Sequence, residues 1–148
     1  MHKPIVRLML ATLSGAIFSV SCVSSIDRVA GCYSVAFLES VNWSPLMPPK
    51  TIELKTEIGT NILERGNYLA RTPEGEPGAG FKRAWWQRAE GGYIRLVWST
   101  GFQAVVMELE KHEDILRGQA YAGSDRVPPP GSPPPRRVPV ELRRVPCS

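Results

Sequence analysis

Short runs of β-branched and aromatic residues recur along the chain, and Gly, Pro, Asn and Asp separate one run from the next. Runs of this kind, bounded by turn-forming residues, are typical of β-strands. No segment carries the sustained apolar period of an amphipathic helix. The pattern predicts eight strands, which span 32–40, 51–58, 66–71, 81–89, 93–99, 102–111, 114–122 and 137–145. Many short strands with frequent turns predict an all-β protein, either an antiparallel barrel or a sandwich.

Apolar and polar residues alternate within several of these strands, which indicates one buried and one exposed face. Trp85 and Trp86 are neighbours, so alternation sends one ring inside and leaves the other on the outer face. The expected inward residues of the first, second, sixth and eighth strands are Tyr33, Val35 and Phe37; Ile52, Leu54 and Ile58; Val105, Met107 and Leu109; and Val138, Val140 and Leu142.

The connections between strands carry turn signals. Gly91 and Gly92 supply the positive φ angles that a tight hairpin needs. Thr100-Gly101 and Glu113-Asp114 fit two further tight turns. The exception is the proline-rich stretch 125–135, which predicts a stiff polyproline-II excursion. That stretch is either a solvent-exposed loop or a docking site for a proline-recognising partner.

Two of the three cysteines lie at the ends of the predicted sheet. Cys32 begins the first strand, and Cys147 follows the last strand by two residues. An exported domain can keep a disulfide. If the two pair, the first and last strands lie side by side at one end, which is the condition for closing a sheet. We therefore expect a single up-and-down barrel of about eight strands, closed by a terminal disulfide, with no exposed strand edges.

The first 21 residues have the three parts of a secretory signal. His2, Lys3 and Arg7 give a basic start, an uncharged apolar stretch runs from Leu8 to Val20, and small residues follow. The apolar stretch covers 13 positions, against the ~20 that a membrane-spanning helix needs. We therefore expect cleavage, with a retained anchor as the alternative.

Two kinds of cleavage fit the end of this signal. Ser19 and Ser21 are the small residues that ordinary signal peptidase requires, which would give a secreted or periplasmic protein. Val20-Ser21-Cys22 resembles the end of a bacterial lipobox, although Ser19 stands where Leu is expected. In that case Cys22 carries a lipid that anchors the protein to a membrane, and the odd cysteine is explained. Either way the organisation is a signal peptide at 1–21, a tether at 22–30 and a barrel at 31–148.

Composition limits the other classes of function. Cleavage before Cys22 leaves 127 residues, enough for one domain. Of the 18 Lys and Arg residues, Lys3 and Arg7 leave with the signal, so 16 basic and 14 acidic side chains remain. No nucleic-acid recognition motif accompanies the arginines, and we expect no nucleic-acid partner. The local basic concentration consists of Arg126, Arg136, Arg137, Arg143 and Arg144.

The two ends of the predicted domain resemble those of lipocalin-like barrels. Gly31-Cys32-Tyr33 is similar to the Gly-x-Trp that opens such barrels, and Glu141-Leu142-Arg143-Arg144 resembles the final strand whose basic residue packs against that aromatic. Residues 31–147 also resemble uncharacterised exported bacterial proteins with Gly-Cys-Tyr, Val-Trp-Ser-Thr-Gly-Phe and Val-Pro-Cys segments. Tyr33 replaces the tryptophan, and the Thr-Asp-Tyr motif of lipocalins is missing. The resemblance therefore implies an architecture and no particular ligand.

The aromatic residues are the strongest candidates for a binding site. An eight-stranded barrel is of the size at which side chains either fill the interior or leave room for one small ligand. Arg83 and Arg95 alternate with apolar neighbours on adjacent strands and face either water or an anionic ligand. For a hollow barrel, the candidate ligand-binding residues are Tyr33, Phe37, Phe81, Arg83, Trp85, Trp98 and Met107.

The residues predict no enzyme and no cofactor. His112 is the one histidine left after cleavage, and no second His or Cys lies at ligand spacing, so we expect it to be solvated and not to bind a metal. No nucleophile elbow, Ser-His-Asp set or phosphate-binding glycine loop is recognisable.

Two functions of different classes remain. The leading hypothesis is an exported lipocalin-like barrel that binds a small apolar or amphipathic molecule non-covalently. The alternative is a structural or interaction module of the bacterial cell envelope, with a filled core and no small ligand. In that alternative an outer face around Trp43, the loop at Pro45–Pro49 and one exposed tryptophan contacts an unidentified protein partner.

Overall fold

The computed structural model describes residues 26–43, 46–62, 64–124 and 129–148. The expected signal peptide, the lipobox with Cys22 and the first part of the tether lie outside these residues, as does part of the proline-rich stretch. Within the described ranges, no helix has the length and apolar character required to span a membrane.

Eight β-strands form the described fold, in the order expected from the hydrophobic pattern. Their ends differ from the predicted ends by no more than three residues. A short 3-10 turn at Glu90–Gly92 joins the fourth strand to the fifth, and Gly91 and Gly92 there have φ angles of 76° and 85°. The strands are β1 Gly31–Phe37, β2 Thr51–Ile58, β3 Tyr68–Arg71, β4 Arg83–Arg88, β5 Ile94–Ser99, β6 Gln103–His112, β7 Ile115–Ser124 and β8 Val138–Val145.

The strands close into a barrel in sequence order. Each strand pairs antiparallel with the next, and β8 pairs antiparallel with β1 from Cys32↔Val145 to Phe37↔Val140. A disulfide links Cys32, at the end of this seam, to Cys147, two residues beyond the end of β8, with the two Cα atoms 5.2 Å apart. The predicted up-and-down barrel of eight strands with a terminal disulfide is therefore confirmed.

Side chains fill the barrel interior. One apolar cluster gathers the inward residues of all eight strands together with Val29, Leu46 and Phe81 from the loops. Its largest members, Trp86 and Trp98, are both fully buried. Each indole N–H donates to a backbone carbonyl, Trp86 Nε1 to Lys55 O at 2.9 Å and Trp98 Nε1 to Pro77 O at 3.0 Å. Because their polar groups are satisfied, these rings pack inside without a desolvation penalty for an unpaired donor.

The expected alternation is confirmed in β1, β6 and β8, and it fails at one position of β2. Ile52 and Leu54 are buried, but Ile58 is 53% exposed. The pairing of β2 with β3 shifts register between Leu54 and Ile58. An irregularity of this kind breaks the two-residue period, so the sequence pattern beyond Leu54 no longer reports on the core.

The barrel end that carries the chain termini is closed by Tyr33 and Arg144. The Arg144 guanidinium lies over the Tyr33 ring at 5.1 Å and donates to its hydroxyl at 2.9 Å. The same hydroxyl donates to Val29 O at 2.6 Å. Burial raises the pKa of Tyr33, and the neighbouring Arg144 charge only partly offsets this. The resemblance to lipocalin-like barrels implies a contact of this kind, and the structure contains it.

Candidate functional site

The seven candidate ligand-binding residues divide between the interior and the outer wall. Tyr33, Phe81, Trp98 and Met107 belong to the packed core, and Phe37 packs against that core. Phe37 also contacts Trp43 edge to face, with ring centroids 5.3 Å apart. These five residues therefore contribute to the packed core of the barrel or contact it directly.

Trp85 and Arg83 lie outside the barrel. Both alternate along β4 with the fully buried Ala84 and Trp86, so they project to the opposite face. Trp85 packs on the outer wall in a small second apolar cluster. The adjacent tryptophans therefore divide as alternation predicts, with Trp86 inside and Trp85 outside.

A groove of about 740 Å³ runs over the outer wall beside this second cluster. Volumes of this order are typical of sites for small organic ligands. Exposed apolar residues at its ends, Leu38 and Tyr93, are 62% and 44% exposed. The lining residues are Leu38, Ala89, Tyr93, Arg95, Glu108, Glu110, His112, Arg117, Gly118, Gln119, Arg137, Pro139 and Val140.

Strand register explains why the convex wall of a barrel has a groove here. Outward residues form two rows across neighbouring strands, Arg95↔Glu108↔Gln119↔Pro139 and Glu110↔Arg117↔Glu141. The rows are two residues apart along each strand, which is roughly 7 Å. Between them lie inward-pointing positions such as Gly118 and Val140, so the strip between the rows is mainly backbone. Two rows of long side chains thus rise on either side of a low floor.

Ion pairs hold the side chains of both rows. Arg137 donates to Glu108 with 2.7 Å between Nη1 and Oε2, and its guanidinium lies 4.8 Å above the Tyr121 ring. In the other row, Arg117 donates to Glu141 Oε2 at 2.7 Å, and Arg143 reaches Glu141 Oε1 at 2.5 Å. The Glu141 side chain is only 8% exposed. These contacts hold the side chains on both sides of the groove.

The charges in the groove shift the pKa values of their partners. The hydrogen bond to Arg117, together with the charge of Arg143, lowers the pKa of Glu141. The neighbouring Glu110 carboxylate raises the pKa of the Tyr93 phenol. His112 Nε2 lies 3.6 Å from the same Glu110 carboxylate. Glu108, Glu110 and Glu141 therefore each have a partner within the groove or beside it.

Arg95 differs from the other two arginines of the groove. It is exposed, and among the described residues it has no ion pair or side-chain hydrogen bond. Its register partner is Glu108, whose carboxylate is held by Arg137 from the opposite side. Arg95 is therefore the one groove-lining arginine without an ionic partner among the residues that the structure describes.

The described residues hold no group of three or more His, Cys, Asp or Glu side chains that is suited to a metal ion. Glu64 is buried in the connection between β2 and β3, where it accepts hydrogen bonds from Arg71, at 3.1 Å, and from Asn61. Arg71 also donates to the Ala84 carbonyl at 2.8 Å, so this pair joins the loop to two strands.

Sequence reasoning missed most of the groove. None of the seven candidate ligand-binding residues lines the groove, and the sequence pattern does not single out Leu38 or Arg117. The available signal was the mixture of exposed apolar and oppositely charged residues on four consecutive strands. It became informative only with the register, because the groove depends on which outward residues face one another across strands.

Comparison with protein-family models, with curated proteins and with solved structures gave no match for this chain. The fold defines the class as a closed, disulfide-linked antiparallel barrel with a packed interior and a charged groove on its outer wall.

Proposed function

We propose that this protein is an exported binding module, not an enzyme, that holds a small amphipathic molecule non-covalently in the groove on its outer wall. The observation that carries the proposal is the combination of exposed apolar surface at Leu38 and Tyr93 with a floor and rows already fixed by ion pairs. A preformed concave site of this kind loses little conformational freedom when a ligand binds.

The packed interior is the reason to place the ligand outside. Trp86, Trp98 and Met107 have no exposed surface, and a ligand in the interior would have to displace them. Displacing large core side chains costs several kcal/mol, about as much as the whole binding energy of a weak ligand. The groove needs no such displacement.

Export is supported by two independent features. The first 21 residues have the basic, apolar and small-residue regions of a secretory signal. The Cys32–Cys147 disulfide suits an oxidising compartment. Whether the mature protein is soluble or anchored through a lipid on Cys22 follows from which peptidase cleaves the signal.

Titration with N-phenyl-1-naphthylamine, a neutral probe that fluoresces in apolar surroundings, tests the proposed site. We expect saturable binding to the folded protein, weakened about threefold to tenfold by Leu38→Ser or Tyr93→Ser, since each removes part of the apolar contact area. Phe102→Ser is the matched control, because Phe102 is 74% exposed on a hairpin that does not line the groove. Equal loss in all three variants, or loss with Phe102→Ser alone, would contradict the location.

The second candidate is an interaction module of the cell envelope with a filled core. It is favoured by the outer apolar cluster of Val97, Ala104 and Val106, with Trp85 and Tyr121 against it. Phe102 lies two residues before Ala104 and is largely exposed. Failure of the folded protein to bind any small apolar probe would favour this candidate over the groove.

A further inference from the structure

We infer that the groove selects amphipathic anions, with Arg95 as the residue that binds the anionic group. This inference rests on the proposed function and adds the charge of the ligand. The same groove without a selective charge would accept neutral and anionic molecules alike.

Most charged side chains that line the groove are paired with a neighbour. Arg137 is held by Glu108, and Arg117 is held by Glu141. The acidic residues that line the groove also have neighbours: Glu108 accepts from Arg137, and the Glu110 carboxylate lies 3.6 Å from His112 Nε2. An incoming cation would have to compete with these partners. An incoming anion meets Arg95, whose guanidinium has no such partner among the described residues.

Arg95 lies at one end of its row of outward residues. It stands on β5 directly opposite Glu108 and next to Gln87 of β4, at the β5 end of the Arg95↔Pro139 row. Leu38 and Pro139 lie toward the other end of that row, since the Leu38 amide donates to the Pro139 carbonyl at 2.9 Å. Along this row, the cation therefore stands at the β5 end, and the apolar residues Pro139 and Leu38 lie at the other end.

The ligand that fits this arrangement has an anionic headgroup and an apolar body. A carboxylate, sulfonate or phosphate can accept two parallel hydrogen bonds from one guanidinium. The apolar body then lies along the floor toward Pro139 and Leu38. A volume of about 740 Å³ accommodates a molecule of drug-like size.

Two probes with the same aromatic skeleton isolate the charge. 8-Anilinonaphthalene-1-sulfonate carries a sulfonate that N-phenyl-1-naphthylamine lacks. We expect the mature protein to bind the sulfonate probe more tightly than the neutral probe. Arg95→Gln should weaken binding of the sulfonate probe roughly fivefold to tenfold. Arg95→Lys should retain most of the affinity. The neutral probe should change less than about twofold in either variant, because it makes no charge-assisted hydrogen bond.

Arg83→Gln is the matched control for Arg95→Gln. Arg83 also projects outward from β4 without an ion pair among the described residues, and it lies four residues, roughly 13 Å, from the position opposite Arg95. Its substitution should leave the affinity for both probes unchanged. Near-UV circular dichroism of each variant confirms that the probes report on the native state, because the sulfonate probe also binds partly unfolded proteins.

The outcomes separate the inference from the proposed function. Equal affinities for the two probes, or an unchanged sulfonate affinity in Arg95→Gln, would overturn the selection by charge and leave the groove as a neutral apolar site. Equal weakening by Arg83→Gln would show a general effect of surface charge and also overturn it. Failure of both probes to bind the native protein would remove the proposed function itself.

Discussion

At the residue scale, Gly31 contributes to closing one end of the barrel. It has a φ angle of 140°, which L side chains rarely adopt, and a Cβ built on it would lie 2.5 Å from Arg144 Nη1. Arg144 occupies that space in order to reach the Tyr33 ring and hydroxyl. At this end of the barrel, Gly31 leaves room for Arg144, Cys32 forms the disulfide, and Tyr33 provides the ring on which Arg144 packs.

Substitution of Gly31 by Ala should destabilise the protein by about 2–3 kcal/mol, because it combines backbone strain with displacement of Arg144. Gly75→Ala is the control, since Gly75 also has a positive φ angle, 90°, but no atom lies within 4 Å of its built Cβ. Urea denaturation of both variants measures the difference. Equal losses would mean that the contact with Arg144 contributes nothing beyond the φ angle.

Residue types alone could predict some of these positions. The resemblance to lipocalin-like barrels implies that a basic residue of the Glu141–Arg144 segment packs on Tyr33, without deciding between Arg143 and Arg144, and alternation assigns Trp85 and Trp86 to opposite faces. Arg95 could not be singled out. Its distinctive property is that Glu108 pairs with Arg137 instead, and that pairing depends on the registers of β6, β7 and β8.

At the scale of elements, the pairing of β7 with β8 is reinforced by a buried carboxylate. Glu141 lies opposite Arg117 across the ladder and contacts Arg143 on its own strand. The hydrogen bond from Arg117 lowers its pKa in the folded state. A carboxyl whose folded pKa lies below its unfolded value of about 4.3 stabilises the fold above that unfolded value. This contribution disappears as the pH falls through the folded pKa.

Glu141→Gln should therefore lower the melting temperature at pH 6 and reduce the loss of stability on acidification. The curves of the wild type and the variant should converge as the pH falls from about 5 toward 2, because protonated Glu and Gln then carry the same charge. Glu90→Gln, at an exposed site in the 3-10 turn, should preserve the acid dependence of the wild type. Parallel curves for wild type and Glu141→Gln would exclude the ion pair as a source of the acid sensitivity.

Elements were the level at which sequence was most informative. Runs of β-branched and aromatic residues between turn-forming residues located all eight strands, and alternation within several of them indicated the face that packs on the core. Ile58 is exposed although alternation predicts that it is buried. The cause is a register shift between β2 and β3, which depends on strand pairing and leaves no periodic signal in the sequence of β2. The groove lies on the outward face, where burial imposes no pattern.

At the scale of the molecule, the sequence left open whether the barrel is filled or hollow. The strand number allows both, and the same aromatic residues line a pocket or build a core. The structure is filled because Trp86 and Trp98 each find a carbonyl for the indole N–H, from Lys55 and Pro77. Lys55 lies 31 residues before Trp86, and Pro77 lies 21 residues before Trp98. Whether the rings fill the interior therefore depends on the complete fold and not on local sequence.

The disulfide and the β1–β8 pairing close the same seam, and they stabilise it in different ways. The pairing acts in the folded state, whereas a disulfide acts mainly by restricting the unfolded chain. Cys32 and Cys147 are 115 residues apart, and for a loop of this length the chain-entropy model gives on the order of 4–5 kcal/mol. That is a large part of the stability of a typical domain, about 5–15 kcal/mol.

Cys32→Ser should therefore lower the midpoint of urea unfolding and expose one more reactive thiol than the wild type, at the solvent-accessible Cys147. Because the ladder from Cys32↔Val145 to Phe37↔Val140 remains, the near-UV spectrum of the folded variant should match that of the wild type. The slope of the unfolding free energy with urea should rise, since an unfolded chain without the cross-link exposes more surface. An unchanged midpoint with the extra thiol present would show that strand pairing alone closes the barrel, whereas a lost native spectrum would show that the pairing requires the bond.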